Sequence, residues 1–190
     1  MSVAPQLLAS ARTTGKDEHN TPPEILDRVR KVGRIAFDPC PGDGDMVGAQ
    51  HDLLDASEIK GLPAGSLPSS KYGVDGLMVS WIAIYKRQST HGALTYVNFP
   101  YSHASAWALK IVSEADAGLP IIALVAARPD TRWWRAMWNA ADAVAFWRGR
   151  ITFLGSKHPA PFPSALFALN VSQRRFRAAF GDAAEIVCPA

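Results

Sequence analysis

The sequence predicts an α/β domain built on a mostly parallel sheet with an antiparallel C-terminal edge. Three observations carry that expectation. Between residues 20 and 142, short apolar runs suited to strands alternate with segments of helical period, as in strands joined by crossover helices. From residue 143 onward, strand-like runs follow one another as AVAFW, RITFL and ALFALNV, which calls for antiparallel pairing. The chain has 190 residues, 48% of them hydrophobic, enough to fill one sizeable core.

Residues 1–19 mix small and charged side chains without apolar periodicity, and read as a flexible arm ahead of a single domain over 20–190. In the stretch from Asn20 to Val32, Asn20 or Thr21 can cap a helix and a proline suits its first turn, while Ile25, Val29 and Val32 recur at helical spacing. Arg34 to Asp38 forms a short strand that breaks at PCPGDG. Residues 45–90 carry little periodicity: 63–73 (PAGSLPSSKYG) is loop-like, and Leu77 to Ile82 fits a short strand or a buried turn of helix. A strand then ends at Asn98, a helix covers about 103–117, and IIALVAA (121–127) makes another strand. TRWWRAMWNAAD supplies a helix capped by Asp130 or Thr131.

No apolar run reaches the roughly 18 residues of a membrane-spanning helix, and the N-terminus lacks a basic-then-apolar leader, so a cytoplasmic protein is expected. Cys40 and Cys188 lie far apart and the five histidines show no ligand spacing, so neither a disulfide framework nor a metal site is expected. The sequence carries no signal of an oligomeric state. A net charge of +3 is compatible with nucleic acid without implying it. The distribution is more informative. Arg128, Arg132, Arg135, Arg148, Arg150 and Lys157 are interleaved with Trp133, Trp134, Trp138 and Trp147. Cations neutralise phosphates and aromatic faces stack on unpaired bases, so this mixture suits an extruded or single-stranded nucleotide. The plainer reading puts the tryptophans in the core and the arginines on a solvated face.

Two loops invite chemistry. FDPCPGDG follows the first strand, and a strand entering a glycine-containing loop is where α/β sheets place a ligand. In TYVNFPY a strand runs into Asn98, Phe99, Pro100 and Tyr101, where proline ends the ladder. A carboxamide followed by two rings flanking a proline suits a flat, amine-bearing group.

In chain order, NTPPEIL, FDPCPGDG and NFPY together resemble the S-adenosylmethionine-dependent amino-methyltransferases of DNA. The later blocks RPDTRWW, GRITF and FPSALF look like the small phage-type adenine-N6 methyltransferases of the Dam family. The resemblance covers about residues 20–170 and implies a Rossmann-like methyltransferase fold acting on DNA in a bacterial or phage-infected cell. It implies that Thr21 and Pro22 pack over the methionine part of S-adenosylmethionine, and that Asp38, Pro39, Cys40, Gly42 and Gly44 cradle this cofactor, which leaves as S-adenosylhomocysteine. Asp52, Asp55 and Asp75 are candidates for the cofactor ribose. Asp75 is preferred because Asp75-Gly76-Leu77 with Trp81 resembles a block of the phage-type enzymes. Asn98, Phe99, Pro100 and Tyr101 would hold the target amine, and Arg128, Arg132, Trp133, Arg148 and Arg150 would contact DNA. Phe99 departs from the proline usual at its place, which predicts a less rigid loop. Cytosine-C5 enzymes attack with a thiolate after a proline in the central loop, but here that loop reads NFPY, so Cys40 is expected to be a semi-buried thiol near the cofactor.

The implied chemistry is methyl transfer to the N6 amine of adenine. Two acceptors, the Asn98 side-chain oxygen and the Phe99 carbonyl, would hold the amine with its lone pair localised, and Tyr101 would stack on the flipped base. Alternatives are transfer to cytosine N4 or to a protein glutamine, or a non-catalytic nucleic-acid-binding module of the same fold.

Overall fold

The computed structural model describes residues 20–41, 47–49, 75–87 and 92–189. The N-terminal arm, Gly42, Gly44, Asp52, Asp55 and the loop-like 63–73 lie outside the described residues. Helix α1 (Pro23–Val32) leads into strand β1 (Arg34–Phe37), and α2 (Trp81–Arg87) precedes β2 (Ala93–Asn98). A single 3-10 turn (Tyr101–His103) opens α3 (Ala104–Asp116). Then come β3 (Ile121–Ala126), α4 (Arg132–Ala140), β4 (Ala143–Trp147), β5 (Ser164–Leu169), α5 (Gln173–Phe180) and β6 (Ala184–Val187).

The strands form one six-stranded sheet in the order β1-β2-β3-β5-β4-β6. Strands β1, β2 and β3 pair in parallel, whereas β3–β5, β5–β4 and β4–β6 are antiparallel. The sheet is therefore mixed, and the expectation of a mostly parallel one holds only for its first half. Because β5 inserts between β3 and β4, no two neighbours beyond β3 run the same way. Side chains alternate between faces with period two. Leu94, Tyr96, Ile122, Leu124, Leu166 and Ala168 pack with the buried faces of α1 and α5, while Val97, Ala123, Val125, Ala165 and Phe167 pack with α2, α3 and α4. Among the described residues no helix is long and apolar enough to cross a membrane, and no group of His, Cys, Asp and Glu is placed to hold a metal ion.

Several elements differ from the expectation, each for a local reason. Pro22 stands at the start of α1 without a side-chain cap, because the Thr21 hydroxyl is turned to the sheet instead. Thr131, not Asp130, caps α4, its side chain accepting from the Trp134 N–H. RITFL is not a strand. Both edges of β4 are already taken by β5 and β6, and the segment forms one isolated bridge, Leu154 to Asn20. ALFALNV ends as a strand at Leu169, since Asn170 adopts a φ of 53° and turns the chain. The following QRRFRAAF forms α5, an unanticipated helix whose arginine-rich exposed face hides the buried Phe176, Ala179 and Phe180.

Leu77 to Ile82 is a turn followed by the start of α2. The two leading N–H groups of that helix, on Trp81 and Ile82, donate to Glu114 Oε1 and Oε2 of α3 at 3.0 and 2.8 Å. Glu114 is 6% exposed, and Lys110 Nζ lies 2.7 Å from its Oε1 and over the Trp81 ring. This carboxylate satisfies helix-end donors that would otherwise be buried without partners. Glu114→Ala is expected to lower unfolding free energy by about 3 kcal/mol in urea titration, the scale of breaking a buried, hydrogen-bonded ion pair. A loss under about 1 kcal/mol would show that water replaces the carboxylate.

Candidate active site at the carboxyl rim of the sheet

Parallel β1, β2 and β3 bring the loops after Phe37, Asn98 and Ala126 to one rim, the edge at which open α/β sheets bind ligands. Strand β5 runs the other way, so its first residue, Ser164, pairs with Ala126 at that same rim. The GRITF and FPSALF blocks close over it. Leu154 N donates to the Asn20 carbonyl at 2.9 Å, and Phe162 meets the Tyr101 ring edge-on at 5.2 Å.

On β2, Tyr96 and Asn98 share the α1 face by strand period. The Thr21 hydroxyl joins them, with Oγ1 2.7 Å from Tyr96 Oη and accepting from Asn98 Nδ2 at 3.1 Å. Thr21 and Tyr96 are buried. Burial pushes the Tyr96 phenol well above its usual range; the Thr21 hydrogen bond opposes this, and the nearby Asp38 and Tyr101 add to it. Tyr96 is therefore a neutral hydroxyl at all ordinary pH. Burial likewise raises the Tyr101 phenol.

At the end of β1, buried Asp38 accepts the Cys40 N–H at 2.8 Å through Oδ1, so the carboxylate folds the chain back over itself. Asp75 makes a similar local bond to the Leu77 N–H at 2.9 Å. Gly76 presses so closely on the turn that a Cβ there would stand 2.1 Å from the Pro39 carbonyl oxygen. The structure thus brings Asp38, Pro39, Cys40 and Asp75 together. The Cys40 thiol is pushed well above its usual value by burial first, then by Asp38 and Asp75.

Phe99, which stands where the resemblance would place a proline, is packed among rings. Its ring is 2% exposed and lies parallel to Trp107 of α3, centroids 6.1 Å apart, with Tyr101 and Trp133 against its edges at 6.0 and 6.3 Å. Trp107 continues to Trp81 at 6.1 Å, and Trp81 Nε1 donates to the Gly76 carbonyl at 2.7 Å. Buried aromatic contact thus fastens the Phe99 side chain against α3.

The arginine–tryptophan cluster divides. Trp134 is core, Trp138 packs on Phe146, and Trp147 lies under the Arg28 guanidinium at 5.8 Å. Arg148 is exposed but engaged, with Nε donating to Glu185 at 3.0 Å and Nη1 to the Asp182 carbonyl at 2.9 Å, so it ties β4 to β6. Arg128, Arg132 and Arg150 are exposed and make no ion pair among the described residues, and Trp133 is half-buried beside Phe99.

Neither a protein-family model nor a curated protein sequence matches the chain. The site therefore rests on its own geometry. Three participants escaped the sequence reading: Tyr96, Trp107 and Glu114. Tyr96 had a usable signal, since a strand ending at Asn98 puts residue 96 on the same face. Trp107 and Glu114 act through tertiary contacts that no local pattern marks.

Phe99→Ala is expected to destabilise the fold by about 3–5 kcal/mol, and Phe99→Pro by a similar amount, because each removes the ring from its place against Trp107. Urea denaturation checks this, and a loss below about 1 kcal/mol would contradict the assignment. Alkylation provides a second test. Cys188, which is exposed, should react first, and Cys40 should stay protected until the pH is well above 9.0, the usual thiol value. The sign follows from linkage: the folded-state value is raised, so the protonated thiol's contribution to stability is full below the unfolded value and is lost as pH climbs through the folded one. Equal labelling of both thiols at pH 8 would refute it.

Proposed function

We propose that the protein transfers a methyl group from S-adenosylmethionine to the N6 amine of adenine in DNA, on a Rossmann-like methyltransferase fold. The observation that carries the reading is convergence. Thr21, Asp38 with Cys40, Asp75 and the Asn98 to Tyr101 loop come from four separate stretches of chain and meet around the ends of two adjacent parallel strands. The side chains at the end of β1 suit the cofactor's chemistry, since the Asp38 and Asp75 carboxylates flank Cys40 and favour a ligand bearing positive charge and hydroxyls. Bound there, S-adenosylmethionine supplies an electrophilic methyl group.

The chain's own residues then handle the substrate. The Asn98 oxygen and the Phe99 carbonyl accept the hydrogens of the target amine, localising a lone pair that the adenine ring otherwise delocalises. Preorganised dipoles of this kind stabilise the positive charge that grows on nitrogen. Tyr101 and Phe162 form an aromatic corner for the base, which must leave the duplex to reach it. Arg128, Arg132 and Arg150 hold the flanking phosphates.

The test is nucleoside mass spectrometry on DNA incubated with protein and labelled cofactor, with N6-methyladenine expected. N4-methylcytosine would shift the assignment to cytosine, and label in protein glutamine or nowhere would overturn it. Asn98→Ala should reduce transfer about 10²- to 10³-fold, and Tyr101→Ala should weaken base capture by about 1–3 kcal/mol. Each of Arg128, Arg132 and Arg150 replaced by Ala should lower the salt slope of DNA binding by about one unit, with cofactor affinity retained.

A further inference from the structure

We infer that Tyr96 and Thr21 form a buried two-hydroxyl relay that fixes which prong of the Asn98 carboxamide faces the rim, making both residues positioning groups for the amine acceptor. The inference rests on the reading under Proposed function and extends it to residues that never touch the substrate. An amide side chain presents a donor on one prong and an acceptor on the other, and a 180° turn exchanges them with little change of shape. An acceptor is needed toward an amine. The structure holds the nitrogen prong on Thr21 Oγ1 at 3.1 Å, which directs the oxygen prong away from Thr21.

Either oxygen of the Thr21–Tyr96 pair can donate, and the relay requires Thr21 to be the donor, so that the state of its hydrogen keeps the nitrogen there. Thr21 Oγ1 and Tyr96 Oη are 2.7 Å apart in a site where Thr21 is 3% and Tyr96 0% exposed. When Thr21 spends its one hydrogen on Tyr96, only its lone pairs remain for Asn98, and the amide must offer nitrogen. Without the Tyr96 oxygen the Thr21 hydrogen is released, and it can donate to an inverted amide whose NH₂ would then meet the target NH₂, donor against donor. Burial shields both hydroxyls from water that could substitute for either partner. Thr21 thus has a hydrogen-bonding task separate from any packing against the cofactor.

The experiment uses the full chain and the variants Tyr96→Phe, Thr21→Val and Thr21→Ser, with two readouts. In steady-state methylation of DNA, Tyr96→Phe and Thr21→Val should each lower kcat about tenfold with little change in KM for DNA or cofactor. The double variant should be no worse than the single ones, and Thr21→Ser, which keeps the hydroxyl, should recover most of the kcat that Thr21→Val loses. In ¹⁵N-resolved NMR, the Asn98 side-chain NH₂ pair, identified by its loss in Asn98→Asp, should be protected from exchange in the wild type and in Thr21→Ser and exposed in Tyr96→Phe. Unchanged kcat in Tyr96→Phe, or an amide signal indifferent to both hydroxyls, would overturn the relay. The NMR readout needs no turnover, so a wild type that methylates nothing would refute the proposed function while the relay is still decided by the amide.

Discussion

The column of rings running from Phe99 through Trp107 to Trp81 is the constraint on which the rim depends. Phe99 belongs to the loop after β2, Trp107 to α3, and Trp81 to the helix that carries the Asp75-Gly76 turn against the end of β1. Three segments far apart in sequence are held in register by stacked or tilted rings about 6 Å apart, a spacing at which aromatic pairs attract beyond their area burial. The column ends in a polar clamp. Glu114 of α3 accepts from both leading N–H groups of α2, with Lys110 beside it, so the α2–α3 contact is directional as well as hydrophobic.

The strand period divides the work of the TYVNFPY stretch between the two faces of the sheet. Val97 and Phe99 turn toward α2, α3 and α4 and fasten the loop, while Tyr96 and Asn98 turn toward α1 and carry hydrogen bonds to Thr21. Ring packing and side-chain hydrogen bonding thus sit on opposite faces of one strand. A close glycine contact completes the arrangement, since Gly76 lets the turn bearing Asp75 approach the Pro39 carbonyl to a distance that any Cβ would block.

The C-terminal half serves the same rim from above the α1 face. After β4 the chain bridges to Asn20 through Leu154, sends Phe162 to Tyr101, and only then returns as β5 between β3 and β4. Arg148 and Arg28 staple the outer edge, the first to Glu185 and the second to Asp182 and over Trp147. These two cations are structural in their contacts, whereas Arg128, Arg132 and Arg150 face solvent at the rim.

The sequence by itself determined the α/β class, the strands read over 34–38, up to Asn98 and over 121–127, the helices read in 20–32, over about 103–117 and after Asp130, and the loops in which polar groups collect. Those features are local: period two, period 3.6, a proline that ends a ladder, an Asp-Pro turn. It did not determine the order of the last three strands, because pairing depends on which edges remain open, and that is decided by β5 inserting beside β3. It missed α5, whose apolar stripe is short and set among arginines, and it read RITFL as a strand although both edges of β4, the strand before it, go to β5 and β6. Nor could it separate Trp134 in the core from Trp133 at the rim, or Arg148 in an ion pair from Arg150 in solvent, since neighbours in sequence differ only in which way the tertiary fold turns them. Residue types are written along the chain, but partners are chosen by distance in space, and it was the packing of α1, α3 and β2 that gave Thr21 to Asn98 and Trp107 to Phe99.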